Sequence, residues 1–309
     1  MARSPRPEVA PSRRLLSGPD AQAAAFFDRL MDGPLRLGAD PPPPPSAVGG
    51  WAVRGKLGWG GASVVYQASR PTPAGPQRAA LKLATRDVDG VRDQFAHEAR
   101  MLRRLAPPIV PALLDVGVAA DGRPYLALEP VDGQRSSDHA RKLTPLQRLL
   151  LGWRLCRAVE TLHDRGIVHA DLKPEHLIVR PDGTVAVLDL GLARRPGREA
   201  PQGLGLTPEF AAPEQVLGEP VGFPADVYAL GLLLFEVIGG ARQRVPWALG
   251  DSGLDLPDPP EPGSAWAALD ASLAAVLRTA TDADPAHRYP SAGVLVRALD
   301  AVLDATAGA

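Results

Sequence analysis

Apolar and polar positions along the chain predict two regions with different elements. From residue 51 the apolar residues form short strands separated by turns, and the apolar run 79–84 encloses a single lysine. A helical spacing of apolar residues first appears in 92–105. Longer helical patterns then cover 146–164, 226–238 and 291–303. We therefore expect most strands to precede most helices.

A polar loop interrupts the apolar pattern within residues 167–179. The segment reads I-V-H-A-D-L-K-P-E-H-L-I-V, and between its apolar ends the side chains of Asp171, Lys173 and His176 fall within six positions. A second apolar run, within 185–191, is followed by the carboxylate of Asp189 and ends at Gly191. The two runs form a predicted hairpin that presents two aspartates to one cleft.

The bulk composition excludes several classes of protein. The chain has 309 residues, a formal net charge of -1 and one cysteine, Cys156. A charge near zero argues against a dedicated nucleic-acid binder, and one cysteine excludes an internal disulfide framework. No apolar run reaches the roughly 18 residues that cross a membrane, and the N-terminus lacks the apolar core of a signal peptide. We expect a cytoplasmic protein that binds neither nucleic acid nor membrane, with Cys156 packed inside a helix.

Residues 1–50 are rich in Pro, Ser, Arg and small residues and end near a proline run at 41–45. Such a run favours an extended polyproline II conformation and cannot join a helix or a sheet. We expect most of this extension to be disordered. Residues 20–31 form a possible short amphipathic helix, which either packs on its own domain or serves as a docking or autoinhibitory element. The proline run is interpreted as a spacer, with a peptide-ligand role as the alternative.

Several motifs together resemble a known family. The sequence H-x-D-x-K-P followed by D-x-G, in 169–174 and 189–191, resembles the catalytic and metal-binding loops of eukaryotic-type (Hanks-type) serine/threonine protein kinases, in particular bacterial ones. The glycine-rich stretch 57–66, A-P-E at 212–214 and D-V-Y-A-L-G at 226–231 extend the resemblance. It implies an α+β bilobal protein-kinase-like fold, with a small antiparallel β lobe carrying one main helix and a larger, mostly helical lobe.

The resemblance also implies domain limits. Residues 51–133 would form the N-lobe and hinge, 134–303 the C-lobe, and 304–309 a short tail. The implied activity is ATP-dependent phosphoryl transfer to Ser or Thr hydroxyls of protein substrates whose identity the sequence does not reveal. A regulatory partner, or an intramolecular contact through residues 1–50, is a further expectation.

Individual site residues follow from the same resemblance. It implies that Lys82 pairs with Glu98, that Glu214 pairs with Arg288, and that Asp226 braces the backbone of the catalytic loop. Asp171 would accept the substrate proton, Lys173 would steady the γ-phosphate, and Asp189, with His176 as a second candidate, would hold the metal. The cofactors would be ATP and Mg²⁺, with Mn²⁺ possible. The ATP-binding residues implied are Leu57, Gly58, Gly60, Gly61, Ser63, Val65, Ala80, Lys82, Glu98, Leu128, Glu129 and Val131.

Three positions depart from the family pattern. Ala170 replaces the arginine that in many kinases clamps a phosphorylated activation loop, and Thr207 is the one hydroxyl residue between residues 191 and 212. We therefore expect activity that is constitutive, or set by a partner or the N-terminal segment, without phosphorylation of that loop. His176 stands in place of a metal-binding asparagine, and the Pro- and Gly-rich stretch 239–263 predicts a short or distorted substrate-docking helix.

Two other functions stay open on the sequence. A pseudokinase, acting as a nucleotide-binding regulatory or scaffolding module, would be favoured by His176, Ala170 and Ser63. A small-molecule kinase would share the H-x-D loop and the later aspartate, but such proteins generally lack the A-P-E segment.

Overall fold

The computed structural model describes residues 44–60, 63–86, 90–199, 207, 209–239 and 271–307. Within them an antiparallel sheet with one long helix precedes a mostly helical lobe, which confirms the predicted bilobal α+β fold. The first lobe contains β1 (Ala47–Val48), β2 (Trp51–Trp59), β3 (Ser63–Arg70), β4 (Gln77–Ala84), α1 (Val91–Arg104), β5 (Leu113–Val118) and β6 (Pro124–Leu128).

The six-stranded sheet has the order β1-β2-β3-β4-β6-β5, and each neighbouring pair is antiparallel. Because successive side chains of a strand point to opposite faces, the strands separate a packed face from a face toward the cleft. The packed face forms a core of its own, which includes Val64, Tyr66, Leu81, Leu83 and Ala127. The other face carries Lys82, as described below.

The sheet curls until its two ends meet at the carboxylate of Asp115. One oxygen of Asp115, on edge strand β5, accepts hydrogen bonds from Trp51 Nε1 at 3.0 Å, Arg70 at 3.3 Å and Tyr125 Oη at 3.3 Å. Trp51 opens β2, next to the opposite edge of the sheet. The Asp115 cluster therefore joins the first hairpin to the last strand and fixes the curvature of this lobe.

The second lobe is built around helix α5 (Phe223–Gly239), whose side chains are buried on almost every side, as expected of a core helix. Helix α3 (Pro145–His163) begins with a capping box between Thr144 and Gln147 and packs against α5 and α7 (Ala292–Ala307). The elements in order are β7 (Gln134–Arg135), α2 (Ser136–Ala140), α3 (Pro145–His163), β8 (Leu177–Val179), β9 (Val185–Val187), β10 (Arg198–Glu199), α4 (Pro213–Leu217), β11 (Pro220–Val221), α5 (Phe223–Gly239), α6 (Ala271–Ala280) and α7 (Ala292–Ala307).

The structure corrects two predicted boundaries. β1 pairs with the start of β2, so residues 47–48 belong to the sheet and not to the N-terminal extension predicted for 1–50. α7 runs to Ala307, beyond the predicted end of the helix at residue 303, so most of the predicted tail is helical. Its Ala-rich continuation keeps high helix propensity and contains no glycine or proline to stop it before residue 308.

Some predictions lie outside the described residues. They concern the possible helix at 20–31, residue Gly61 and the Pro- and Gly-rich stretch from residue 240 to 263. Cys156 is buried as predicted, and burial raises the pKa of its thiol. None of the helices in the described ranges is both long enough and apolar enough to cross a membrane.

Candidate active site

A hairpin of β8 and β9 brings the two predicted aspartates to one end of the cleft. Asp171 precedes β8 and Asp189 follows β9, and because these strands are antiparallel both residues lie at the same end of the hairpin. His176 lies between them, with Nδ1 3.5 Å from one Asp171 carboxylate oxygen and Nε2 3.7 Å from Asp189 Oδ2. The predicted convergence of Asp171, His176 and Asp189 is therefore present.

The hydrogen bonds of His176 define which ring nitrogen carries the proton. Nδ1 lies 2.8 Å from the backbone oxygen of Asp171, and a carbonyl oxygen can only accept, so Nδ1–H is the donor. Burial lowers the pKa of His176, against the opposing pull of Asp171 and Asp189, which favours the neutral ring. In that tautomer Nε2 keeps its lone pair and can act as an acceptor or a ligand.

Lys82 is held by two carboxylates at the other side of the cleft. Its Nζ donates to both oxygens of Glu98, at 3.0 and 2.8 Å, and to Asp189 Oδ1 at 2.8 Å. Burial acts to lower the pKa of Lys82, but the carboxylates of Asp189 and Glu98 outweigh it and raise that pKa above its ordinary value. Burial likewise acts to raise the pKa of Asp189, but the Lys82 ammonium holds it well below its ordinary range. Lys82 and Asp189 are therefore charged at neutral pH. Burial raises the pKa of Glu98 to about 7, against the pull of the Lys82 ammonium, and the predicted contact between Lys82 and Glu98 is present.

Asp226 supports the catalytic loop from beneath. Its carboxylate is 1% exposed and accepts backbone N–H groups from His169 at 2.7 Å and from Ala170 at 2.8 Å. His163 Nε2 lies 3.0 Å from the same carboxylate, while His163 Nδ1 accepts the N–H of Ala292 at 3.0 Å. His163 therefore carries its proton on Nε2 and is the third donor to Asp226. The predicted bracing of the loop by Asp226 is present.

Ala170 has an uncommon backbone conformation at this point. Its φ of 63° lies in the left-handed region, which costs an L-residue roughly 1–2 kcal/mol. The hydrogen bond from Ala170 N to Asp226 helps to hold this conformation. The turn at Ala170 therefore depends on its surroundings, and it directly precedes Asp171.

Thr207 connects the catalytic loop to the end of the activation segment, the stretch that follows D-L-G at 189–191 and ends with A-P-E at 212–214. Lys173 Nζ donates to Thr207 Oγ1 at 2.8 Å, and the Thr207 N–H donates to Asp171 Oδ1 at 3.3 Å. Lys173 Nζ also lies 3.3 Å from Asp171 Oδ2. Asp171 thus receives a donor on each carboxylate oxygen, which fixes the orientation of its side chain.

A buried ion pair anchors the A-P-E segment. The Arg288 guanidinium donates to both carboxylate oxygens of Glu214, at 2.8 and 2.9 Å, in the bidentate geometry that makes such pairs strong. This is the pair predicted from the motifs. It fixes α4 against the turn that precedes α7.

The cleft face of the sheet collects the residues predicted to contact a nucleotide. Val65 lies opposite Lys82 on the neighbouring strand, and Ala80 lies opposite Leu128, so all four share the cleft face. Gly58 pairs with Val65, and Leu57 is half exposed beside it. The structure therefore brings an apolar wall and a lysine to one face, beneath the glycine-rich strand ends.

The glycine-rich turn and the hinge leave room and backbone groups for a ligand. A Cβ added at Gly58 or Gly60 would meet no heavy atom within 4 Å, so both face open space. The turn is closed by a hydrogen bond from Gly60 N to Ser63 O at 2.9 Å. At the hinge, Glu129 N donates to Ala112 O at 2.8 Å, while within the described residues no hydrogen bond uses the Glu129 carbonyl or the Val131 N–H.

Comparison with known sequences decides the family. Residues 51–248 match the protein kinase domain model, which is more than half of the chain. This chain belongs to the protein kinase family. The match starts at the tryptophan that opens β2 and continues past the end of α5, so it includes the whole cleft described above.

Three bacterial kinases illustrate the relationship. Serine/threonine-protein kinase Pkn1 of Myxococcus xanthus is 34% identical over 269 residues, which cover 80% of this chain and 37% of that protein. PknJ of Mycobacterium tuberculosis is 30% identical over 279 residues, covering 84% and 46%. PknB of the same species is 32% identical over 216 residues, covering 64% and 34%. The chain thus spans less than half the length of these relatives.

Two contacts of this kinase domain were not predicted from the sequence. His163 joins the end of α3 to Asp226, and Gln215 joins α4 to the catalytic loop through a bond to the Ala170 carbonyl. The only sequence signals were a histidine at the end of a long helical pattern and a glutamine directly after A-P-E. Neither signal names a partner, because the contacting residues lie 63 and 45 positions apart.

Proposed function

We propose that this protein transfers the γ-phosphoryl group of ATP to serine or threonine hydroxyls of protein substrates. The observation that carries the proposal is the arrangement of Asp171, Lys173 and Thr207, in which the carboxylate is oriented by donors on both oxygens. The names of the relatives support the same reaction. They give no support to the pseudokinase alternative, which keeps no specific observation in its favour.

Asp171 is proposed to receive the proton of the substrate hydroxyl. A general base must be positioned within hydrogen-bond reach of the proton it takes, and Asp171 lies at the mouth of the cleft with its orientation fixed by Thr207 and Lys173. Lys173 would then place its ammonium against the phosphate that is transferred, since its Nζ already lies between Asp171 and Thr207. Because Thr207 borders this base, its side chain would limit the approach of the substrate, which favours Ser or Thr.

The residues present fit ATP and a divalent metal ion. Gly58 and Gly60 border open space, so no side chain there would block the approach of a polyanion, and Lys82 supplies a charged donor below them. When bound with ATP, the metal ion would neutralise charge on the phosphate oxygens. Among the described residues no three His, Cys, Asp or Glu side chains converge in a closed metal site. This agrees with an ion held by one or two protein ligands plus phosphates, as is usual for Mg²⁺.

Asp189 and His176 are proposed to be the protein ligands of that ion. Asp189 offers the carboxylate, and the unprotonated Nε2 of His176 lies 3.7 Å from Asp189 Oδ2, close enough for one ion to contact both. An imidazole ligand suits transition metals better than Mg²⁺, so the site should favour Mn²⁺ over Mg²⁺ relative to a site with an oxygen ligand.

Pulsed electron paramagnetic resonance of the Mn²⁺ complex with a non-hydrolysable ATP analogue tests the metal ligands without requiring turnover. Wild-type protein should show coupling of Mn²⁺ to a histidine nitrogen, and His176→Asn should lose that coupling while still binding Mn²⁺ and nucleotide. Absence of nitrogen coupling in the wild-type complex would exclude His176 as a ligand.

Transfer of labelled phosphate from ATP to a generic basic protein tests the reaction itself. Wild-type protein should produce phosphoserine or phosphothreonine on acid hydrolysis, and Asp171→Asn should reduce the rate about 100-fold or more, within the usual contribution of a general base. Asp182→Asn is the matched control, since Asp182 lies in the turn of the same hairpin and, within the described residues, its side chain accepts hydrogen bonds from Thr184 alone. Phosphotyrosine alone, or equal rates in all three proteins, would contradict the proposal.

A further inference from the structure

The side chain of Gln215 connects the end of the activation segment to the catalytic loop. Gln215 lies on α4 and is 3% exposed. Its Nε2 donates to the backbone oxygen of Ala170 at 2.8 Å, and its Oε1 accepts the N–H of Ala212 at 3.1 Å. The amide orientation is fixed by these partners, because a backbone N–H can only donate and a carbonyl oxygen can only accept.

The bond to Ala170 acts on the peptide unit that precedes Asp171. The Ala170 carbonyl and the Asp171 N–H belong to one planar peptide, so a hydrogen bond to the oxygen restricts the rotation of both. On the other side of this peptide the Asp171 N–H donates to His169 Nδ1 at 3.2 Å. The plane is therefore held from two directions.

Ala170 itself contributes little to this restraint. Its backbone lies in the left-handed region and its side chain is a methyl group, so nothing in its own side chain can bond to the activation segment. Its N–H is bonded to Asp226 and its carbonyl to Gln215. The two hydrogen bonds thus restrain Ala170 at its N–H and at its carbonyl, and the second of them comes from Gln215 on α4.

We propose that Gln215 is a positioning residue for the phosphoryl transfer: by holding the Ala170–Asp171 peptide, it keeps the Asp171 carboxylate directed at the substrate hydroxyl and couples it to α4, which follows the activation segment. The inference rests on the proposed function for its catalytic consequence. The restraint on the peptide is independent of that function. It uses a neutral side-chain amide and requires no phosphate on the activation segment.

Two variants of Gln215 separate this role from simple packing. Gln215→Leu keeps most of the volume and removes both hydrogen bonds. Gln215→Glu keeps an acceptor for Ala212 N–H but turns an oxygen toward the Ala170 carbonyl. Val216→Ala is the matched control, because Val216 is the next residue of α4, is also 3% exposed and contributes only apolar packing.

Steady-state kinetics should show a fall in kcat of about tenfold or more in both Gln215 variants, equal to about 1.4 kcal/mol of barrier, with KM for ATP changed less than about twofold. Val216→Ala should change kcat much less, even if it lowers the melting temperature by as much. A fall in kcat that merely follows the loss of stability across all three variants would overturn the proposal.

Hydrogen–deuterium exchange at the Ala170 and Asp171 amides gives a readout that does not need activity. Exchange there should be faster in both Gln215 variants and unchanged in Val216→Ala. If exchange responds while the wild type transfers no phosphate, the proposed function fails and the restraint on the peptide stands. If exchange at these amides is unchanged in the Gln215 variants, the restraint is absent and the inference fails whatever the activity.

Discussion

Replacing Asp226 by asparagine should weaken the loop that carries Asp171. In the protein three donors share this carboxylate: His169 N and His163 Nε2 on Oδ2, and Ala170 N on Oδ1. Asparagine has one acceptor oxygen, so one of the two positions becomes an NH₂ group that faces a donor. If its oxygen takes the place of Oδ2, the Ala170 N–H is left buried and unpaired.

The size of the effect follows from these three bonds. A buried donor without a partner costs about 1–3 kcal/mol, and each of the two remaining bonds loses about 1 kcal/mol when its acceptor is no longer charged. The total is about 4 kcal/mol, or roughly 10 °C in melting temperature for a domain of this size. The lost bond also holds the left-handed turn at Ala170, which precedes Asp171. We therefore expect kcat of the folded variant to fall, in addition to its free energy of unfolding.

Urea unfolding and thermal unfolding measure the first effect, and steady-state phosphoryl transfer measures the second. Asp300→Asn is the control, since Asp300 accepts a single hydrogen bond at 2.7 Å, from Trp153 Nε1, away from the catalytic loop. Its expected cost is about 1 kcal/mol. A cost below about 1 kcal/mol for Asp226→Asn, or one equal to that of the control, would refute the reasoning that Asp226 supports the loop through three bonds.

Three further predictions concern other parts of the protein. Gly49→Ala should lower the free energy of unfolding by at least about 2 kcal/mol, because a Cβ there would overlap Tyr125 Oη and φ is 54°. Gly50→Ala, with a positive φ but open space around it, should show only the smaller conformational cost, and chemical denaturation measures both. Cys156 should resist alkylation in the native protein and react after denaturation, because its side chain is buried and its thiol pKa is raised. Mass spectrometry measures the labelling, and rapid labelling of the native protein would contradict this prediction. Thr207→Ser should keep most of the rate of phosphoryl transfer, whereas Thr207→Val should reduce that rate about tenfold or more, since only a hydroxyl can accept the hydrogen bond from Lys173. Equal rates in the two variants would show that this hydrogen bond does not contribute to the transfer.

The elements that carry the site could be predicted because their sequence signals are local. The hairpin around Asp189 is marked by two short apolar runs, and the helix bearing Glu98 by its apolar spacing. Pairing Lys82 with Glu98 needed the family resemblance as well, since periodicity places a lysine in a strand without naming its partner. The same holds for Glu214 and its distant arginine.

Contacts between residues remote in the chain were not predictable in the same way. Nothing local indicates that Gln215 bonds to Ala170, or that His163 donates to Asp226, because both contacts arise only when α4, α5 and the catalytic loop pack together. The strand at 47–48 was assigned to the extension because two residues carry no detectable period, and pairing with β2 is what makes them a strand.

Transfer of a single phosphoryl group tests the central claim most directly. Wild-type protein and Asp189→Ala, in excess over labelled ATP, are mixed with a generic protein substrate and either Mg²⁺ or Mn²⁺, and phosphoserine and phosphothreonine are measured over time. The account predicts transfer by wild type with at least one of the two metals and a loss of about 100-fold or more in Asp189→Ala, which lacks the carboxylate proposed to bind the metal. Equal transfer by both proteins, or no transfer by wild type in either metal while ATP still binds, would contradict it.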